Sequence, residues 1–120
     1  MQLLLVSQDD TATCLAVQGD ISQSRFPSHV NDPLEHLLGA DLHRCNVLVD
    51  LSQAGFIDSS GVGWLMAHHK RFLAAGGKLI LHSMPPTIGQ VIQLLRLNTI
   101  LTIKPDQAAA LAAVAQGKRQ

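Results

Sequence analysis

Two adjacent serines stand where the sequence predicts the start of a helix, in the segment Asp58-Ser59-Ser60-Gly61. The side-chain oxygens of Asp and Ser accept hydrogen bonds from the unpaired amides of a first helical turn, so the segment is typical of a helix N-terminus. A hydroxyl there lies at the positive end of the helix dipole, where a phosphate group is tolerated. The segment therefore indicates a serine that can carry a phosphoryl group, and a plain helix cap is the competing interpretation.

The elements that must position these serines alternate along the chain in the order β-β-α-β-α-β-α-β-α. We predict strands at residues 3–7, 11–18, 46–52, 78–83 and 101–104. We predict helices from Asp32-Pro33 onward, at 60–75, from Met84-Pro85 onward and at 106–116. The near-continuous apolar run at 46–52 is typical of a central strand that is covered on both faces, and a short loop connects it to the serines. This alternation predicts an α/β domain with a mostly parallel sheet and right-handed crossovers.

Periodicity assigns faces to the predicted helices. In helix 60–75 we expect an apolar stripe formed by Val62, Leu65, Met66, His69, Phe72 and Leu73. Ser60, Trp64, His68 and Arg71 fall on the opposite side, and an exposed Trp beside an Arg is typical of a protein-contact surface. The alternative is that Trp64 packs under a neighbouring loop. The helix after Met84 is expected to bury Ile88, Val91, Ile92 and Leu95, with Asn98 as its cap, and the first helix to bury Leu34, Leu37, Leu38 and Leu42.

Composition excludes several classes of protein. The 120 residues predict one domain, 1–120, and the 47% of hydrophobic residues indicate a packed core. Nine basic residues balance nine acidic ones, so neither nucleic acid nor a membrane surface is an expected partner. The apolar opening is too short for a signal peptide or a membrane span. Cys14 and Cys45 lack the spacing of metal ligands and predict reduced thiols in a cytoplasmic protein; a disulfide is the alternative if the two meet in space.

The segment 47–70 resembles the signature of STAS domains, a family named after sulfate transporters and anti-sigma factor antagonists. The matching residues are Asp50-Leu51-Ser52, Phe56-Ile57 and Asp58-Ser59-Ser60-Gly61-Val62-Gly63. Gly76-Gly77-Lys78-Leu79 and Gly19-Asp20-Ile21-Ser22 resemble two further family segments. The resemblance is greatest to the stand-alone bacterial antagonists, and it implies a SpoIIAA-like α/β fold with a mixed, mostly parallel sheet of about five strands and about four helices.

The resemblance also implies a function. In the family the second serine of the block, here Ser60, is the phosphoacceptor, and Ser59 is the alternative acceptor. The unmodified protein binds an anti-sigma factor that is also a serine kinase of the histidine-kinase-like ATPase fold, and a metal-dependent phosphatase of the PP2C type resets the switch. We expect the contact surface to include Asp20, Ser22, Asp58, Ser59, Gly61, Trp64, His68 and Arg71. Asp20 and Ser22 depart from the Glu and Asp usual in the family, which affects the identity of the partner.

Other functional classes have weaker support in the sequence. A serine hydrolase needs a base beside its nucleophile, and His68 is two helical turns away from Ser60. No His-x-x-x-His or Cys-x-x-Cys spacing indicates a metal, Gly77-Lys78 lacks the flanking residues of a phosphate-binding loop, and we expect no cofactor. The stronger rival is a non-switching STAS subunit of a lipid-transport ABC complex or of a stress-signalling scaffold.

Overall fold

The N-terminal half of the sheet is an antiparallel pair, β1 (Gln2–Gln8) and β2 (Thr13–Ile21). The turn between them is held by Asp9, whose Oδ1 accepts hydrogen bonds from the amides of Thr11 and Ala12 at 2.7 and 2.9 Å. The computed structural model describes residues 1–27 and 30–117, and the elements below are those of these two ranges.

Three further strands extend the sheet in parallel. They are β3 (Asn46–Ile57), β4 (Lys78–His82) and β5 (Thr102–Lys104), and the spatial order β1-β2-β3-β4-β5 is the order of the chain. Parallel strands need crossovers, which are provided by α1 (Pro33–Leu38), α2 (Ser59–Ala75) and α3 (Pro86–Leu94), and α4 (Gln107–Gly117) follows the last strand. The predicted element order and the mixed, mostly parallel sheet are confirmed.

The sheet has an apolar cluster on each face. The larger cluster lies between the sheet and α1, α2 and α3, and its members include Leu15, Val49, Leu65, Phe72 and Ile92. On the other face, α4 covers a smaller patch with Ala110 and Val114 against Cys14, Leu48 and Ile80. Each fully buried aliphatic or aromatic side chain contributes about 1.5–3 kcal/mol, so these two layers supply the main drive to fold.

The strand that leads to the serines is longer than predicted. β3 continues past Ser52 to Ile57, because β2 also continues and pairs with it as far as Ile21. Two register shifts in this pairing accommodate the polar stretch around Gln53. The segment expected to be a loop is therefore strand, and only Asp58 separates β3 from α2.

The predicted helix caps are mostly confirmed. Asp32 Oδ1 accepts from the amides of Leu34 and Glu35, with Pro33 at the first helical position of α1. Asp58 caps α2 through the amide of Gly61, and Gly76 ends this helix with a left-handed φ of 91°. Asp106 caps α4 through the amide of Ala109 at 2.8 Å.

The predicted faces of α2 are wrong at three positions. Trp64 and His68, expected in solvent, are 6% and 1% exposed, while Leu73, expected in the core, is 69% exposed. The reason is that α1 and the loop before it cover one flank of α2, so the buried side of the helix is rotated away from the purely apolar stripe. The alternative interpretation of Trp64, packing under a neighbouring loop, is the one that the structure bears out.

Two predictions for α3 are also wrong. Leu95 is 52% exposed, and the left-handed residue after the helix is Arg96, with φ 57°, instead of Asn98, which lies in the 3-10 turn Leu97–Thr99. In the first helix Gly39 ends α1, so the buried Leu42 belongs to the separate 3-10 turn Leu42–Arg44. The sequence also predicts a polar tail at 117–120; α4 extends to Gly117, and residues 118–120 lie outside the described residues.

Two glycines of α2 make a matched test of this packing. A Cβ at Gly61 would overlap the carbonyl oxygen of Ile21, whereas a Cβ at Gly63 would meet nothing within 4 Å. We expect Gly61→Ala to destabilise the protein by about 2–3 kcal/mol or more. Gly63→Ala should stabilise it by about 0.5–1 kcal/mol, because alanine is the better helix former. Urea unfolding of both variants measures the difference, and equal effects would contradict the close approach at Gly61.

Candidate functional site at the start of helix α2

The end of β2 and the start of α2 meet at one backbone carbonyl. Ile21 O accepts a hydrogen bond from the amide of Asp58 at 3.3 Å, and Gly61 lies against the same oxygen with no side chain between. The residues that follow Ile21 are therefore brought beside the residues that open the helix. Sequence positions 36 to 38 residues apart, Ser22 with Asp58 and Ser60, become neighbours.

Asp58 is the centre of the site. Its Oδ1 accepts from the hydroxyl of Ser60 at 2.6 Å and from the amide of Gly61 at 2.9 Å. Its Oδ2 accepts from the hydroxyl of Ser22 at 2.5 Å. The carboxylate thus caps α2 and at the same time fixes two serine side chains.

The hydrogen-bond direction of each hydroxyl follows from the number of protons that it can donate. A serine has one proton to donate, and the two serines on Asp58 both give theirs to the carboxylate. Ser22 Oγ therefore accepts from Ser24 Oγ at 2.9 Å, and the 3.3 Å contact between Ser22 Oγ and Ser60 Oγ carries no proton of its own. Ser60 Oγ in turn accepts from the amide of Gln23 at 3.0 Å. The Ser60 hydroxyl is held in one orientation by a donor and an acceptor.

These hydrogen bonds stabilise the charged form of the carboxylate. Donation from Ser22, then from Ser60 and the Gly61 amide, lowers the pKa of Asp58 from 3.8 to about 2, although burial opposes the shift. Asp58 is therefore ionised at neutral pH. It contributes stability that is complete above pH 3.8 and is lost as the pH falls through about 2.

The other residues predicted for the site lie around this centre at different depths. Ser59 is exposed, Ser60 is half-buried and Ser22 is buried. The carboxylate of Asp20 packs against Gly55, where an added Cβ would come within 2.8 Å of Asp20 Oδ1. Arg71, about three turns along α2 from Ser60, is exposed and donates to Glu35 of α1 at 2.8 Å.

Trp64 and His68 belong to a second polar cluster beneath the surface. Trp64 Nε1 donates to Asp32 Oδ2 at 3.2 Å, and His68 Nε2 lies 2.7 Å from the same oxygen. The other ring nitrogen of His68, Nδ1, is 2.8 Å from Nε2 of His43, which is also buried. The edge of Phe26 packs on the Trp64 ring with centroids 5.3 Å apart, so this cluster also anchors the loop that follows Gln23.

Sequence reasoning missed three participants. The backbone amide of Gln23 has no sequence signature, since any residue but proline supplies it. Asp32 was correctly predicted as a helix cap, but the sequence does not show that its second carboxylate oxygen faces the interior. His43 lies in a short 3-10 turn where no period reveals which side is buried.

Histidine side chains and possible metal ligands were the other groups with chemistry to consider around Ser60. Within residues 1–27 and 30–117, no histidine is hydrogen-bonded to Ser60, and His68 is engaged by Asp32 and His43. The described residues contain no group of three or more His, Cys, Asp or Glu side chains placed to hold a metal ion. A search of the same part of the chain finds no helix that is long and apolar enough to span a membrane.

Comparison with known proteins identifies the family. The family model for the "Mlab, STAS domain" matches residues 4–103, and the chain belongs to the STAS domain family. This confirms the resemblance drawn from the sequence.

Three solved structures share the fold over nearly their whole length. The Thermotoga maritima protein tm1081 is 19% identical, with 95% of this chain and 93% of that chain covered and a TM-score of 0.72. An anti-sigma factor antagonist from Mycobacterium paratuberculosis is 23% identical, with 95% of each chain covered and a TM-score of 0.69. The anti-sigma factor antagonist SpoIIAA in its unphosphorylated form is 15% identical, with 99% and 100% covered and a TM-score of 0.61. The SpoIIAA-like fold is thereby confirmed.

The hydrogen bond from Ser22 makes a specific prediction for Asp58. Ser22→Ala removes the strongest of the donors that lower the pKa of Asp58, so this pKa should rise from about 2 towards 3.8. Ser24→Ala is the matched control, because Ser24 bonds to Ser22 and makes no hydrogen bond with the carboxylate. The ¹³C shift of the Asp58 carboxyl carbon, followed from pH 6 to pH 1.5, measures both variants. An unchanged pKa in Ser22→Ala would show that the hydroxyl does not stabilise the charge.

Proposed function

We propose that this protein is an anti-sigma factor antagonist that works by binding and is controlled by phosphorylation of Ser60. In its unphosphorylated form it captures an anti-sigma factor, a serine kinase of the histidine-kinase-like ATPase fold, and so frees a sigma factor. A metal-dependent phosphatase removes the phosphate and restores binding. The observation that carries the proposal is the Ser60 hydroxyl, held against an ionised carboxylate at the start of α2.

The geometry favours Ser60 over Ser59 as the acceptor. Ser60 Oγ–H donates to Asp58 Oδ1 at 2.6 Å, so the carboxylate fixes the direction of the hydroxyl that would attack the γ-phosphoryl group of ATP, from which ADP leaves. The pKa of about 2 keeps Asp58 ionised and able to accept this hydrogen bond at neutral pH, but it makes the carboxylate a weak base, so its role is to orient the hydroxyl. Ser59 is exposed, and its hydroxyl has no such acceptor among the described residues.

A phosphate on Ser60 would change the surface and leave the fold in place. The added charge of roughly −1.5 to −2 lies next to the Asp58 carboxylate, so repulsion turns the phosphate towards solvent. The N-terminus of α2 remains a favourable place for an anion. The groups bonded to the Ser60 hydroxyl are Asp58 and the Gln23 amide, which lie outside the strands, so we expect the modification to act locally.

The exposed side of α2 is the proposed contact surface. It consists of Ser59, Gly63, Ala67, Lys70 and Arg71, and we call it the α2 ridge. Gly63 and Ala67 are small, which allows a partner helix or strand to approach closely. Trp64 and His68 support this ridge from below and are not proposed to touch the partner.

The first test is phosphorylation itself. With the partner kinase and ATP we expect one phosphate on Ser60, none on Ser60→Ala, and an unchanged yield on Ser59→Ala, as localised by mass spectrometry. The phosphoprotein should bind the unmodified protein's partner about 100-fold more weakly, because placing like charges in an interface costs several kcal/mol. Phosphate on Ser59, or equal binding by both forms, would overturn the switch.

The α2 ridge is tested by a matched pair of substitutions. Ala67 on α2 and Ala112 on α4 are both exposed helical alanines, on opposite faces of the sheet. Ala67→Arg should weaken partner binding at least 10-fold, about 1.4 kcal/mol, while Ala112→Arg should leave it within about twofold. Circular dichroism checks that both variants are folded. Loss of binding in Ala112→Arg alone would place the contact surface on α4.

A second function is favoured by one observation. Ser60 Oγ is already bonded on both sides, to Asp58 and to the Gln23 amide, so the site also suits a fixed contact surface that is never modified. In that case the protein is a non-switching STAS subunit of a lipid-transport ABC complex or of a stress-signalling scaffold. A pull-down from the native host with mass spectrometry separates the two: an unmodified Ser60 with a transporter ATPase supports the subunit, and a kinase captured by the unmodified form supports the antagonist.

A further inference from the structure

The buried cluster around Asp32 forms a continuous hydrogen-bonded chain from α1 to the 3-10 turn Leu42–Arg44. Asp32 Oδ2 lies 2.7 Å from His68 Nε2, and His68 Nδ1 lies 2.8 Å from His43 Nε2. His68 is 1% exposed, and His43 is 9% exposed. The three residues come from the N-cap of α1, from α2 and from the turn, so the hydrogen-bonded chain connects three parts of the structure.

We propose that Asp32, His68 and His43 form an acid-sensitive latch, which holds α1 and the Leu42–Arg44 turn against α2 and opens when both imidazoles are protonated. The latch responds to pH and not to phosphorylation, so it adds a second input to the protein.

The closed latch has one consistent arrangement of protons. Burial raises the pKa of Asp32, but the hydrogen bond from His68, the charge that His68 has when it is protonated, and the hydrogen bonds from the Glu35 amide and Trp64 lower it overall, so the carboxylate is ionised. An ionised carboxylate only accepts, hence His68 Nε2 carries a proton and donates it to Asp32. With both imidazoles neutral, His68 Nδ1 is then an acceptor, and His43 Nε2–H donates to it.

One added proton is accommodated without loss of a hydrogen bond. If His68 holds protons on both nitrogens, it donates to Asp32 and to His43, and His43 moves its own proton to Nδ1 so that Nε2 accepts. If a second proton is added to the two imidazoles, no arrangement keeps the hydrogen bond between them. Both nitrogens across the 2.8 Å gap would then be donors, and two buried cations would face each other with rings stacked 5.0 Å apart.

Burial and the charges around His43 determine whether the folded state gains or loses stability as the pH falls. Burial, the charge of His68 and the charge of Arg71 lower the pKa of His43 from 6.5, and the opposite charges of Glu35 and Asp32 do not compensate. As the pH falls, His43 is therefore protonated near pH 6.5 in the unfolded chain but only at a lower pH in the folded protein. The contribution of neutral His43 to the stability of the folded state is complete above pH 6.5 and decreases as the pH falls below it.

α1 is the piece that the latch should release. It has six residues, far fewer than a helix needs to persist alone in water, so its backbone hydrogen bonds depend on docking against β1, α2 and the Leu42–Arg44 turn. The amides of Leu34 and His36 are bonded to Asp32, the first to the side chain and the second to the carbonyl. Their hydrogen exchange reports whether α1 is docked.

The experiment compares wild type, His43→Gln and His69→Gln by amide hydrogen exchange between pH 7.5 and pH 5, corrected for intrinsic rates. Glutamine can donate an N–H in place of His43 Nε2 but cannot be protonated, and His69 lies on α2 outside the latch. In wild type and His69→Gln we expect protection at Leu34 and His36 to fall at least 10-fold, while Val47 to Val49 of β3 change little. In His43→Gln the fall at Leu34 and His36 should be absent.

Two results would overturn the latch. One is an equal loss of protection in His43→Gln, and the other is unchanged protection of α1 in wild type down to pH 5. If His43→Gln does not fold, the ¹⁵N shifts of the wild-type imidazoles provide the same decision, since His43 must titrate over the range in which protection of α1 is lost. The measurement uses no partner and no phosphate, so its failure leaves the proposed function untouched.

Discussion

The close contact between Gly61 and the carbonyl of Ile21 is the constraint on which the site depends. Because no side chain separates them, the first turn of α2 lies directly against the end of β2, and the backbone of Asp58 bonds to the same carbonyl. That single approach places Ser22 and Gln23 within reach of Asp58 and Ser60. A larger residue at position 61 would separate the two segments, and the carboxylate would lose a donor while the serine would lose the amide that orients it.

Asp32 and Asp58 play the same structural role at two places on α2, Asp32 on its flank and Asp58 at its start. Each carboxylate uses one oxygen to cap a helix and the other to hold side chains from a distant part of the chain. The two centres are connected through the loop after β2, since Phe26 packs on Trp64 while Gln23 bonds to Ser60. The surface formed by α2 is therefore supported at its start and along one flank by buried or half-buried polar groups, which specify one arrangement more strictly than apolar contacts alone.

The order of elements, the caps at Asp32, Asp58 and Asp106, and the serine block were all accessible from the sequence, because each depends on neighbours within a few residues. The buried flank of α2 was not, since periodicity assigns a face only when one layer covers a helix, and here α1 adds a second. Trp64 and His68 are buried because Asp32 provides a partner for each, and that partner lies more than thirty residues away. The extension of β3 was hidden for a similar reason: the polar residues after Ser52 are strand only because β2 runs beside them.

The cover of the second face of the sheet by α4 alone has a consequence for thiol chemistry. Cys14 is buried under this helix, with Gln107 Nε2 at 3.9 Å from its sulfur, whereas Cys45 is exposed. A thiol reagent should therefore label Cys45 at once and Cys14 only when α4 lifts from the sheet. The rate at which Cys14 is labelled therefore reports how often the C-terminal helix detaches from the sheet. The labelling rate of Cys45 in the same molecule is the reference.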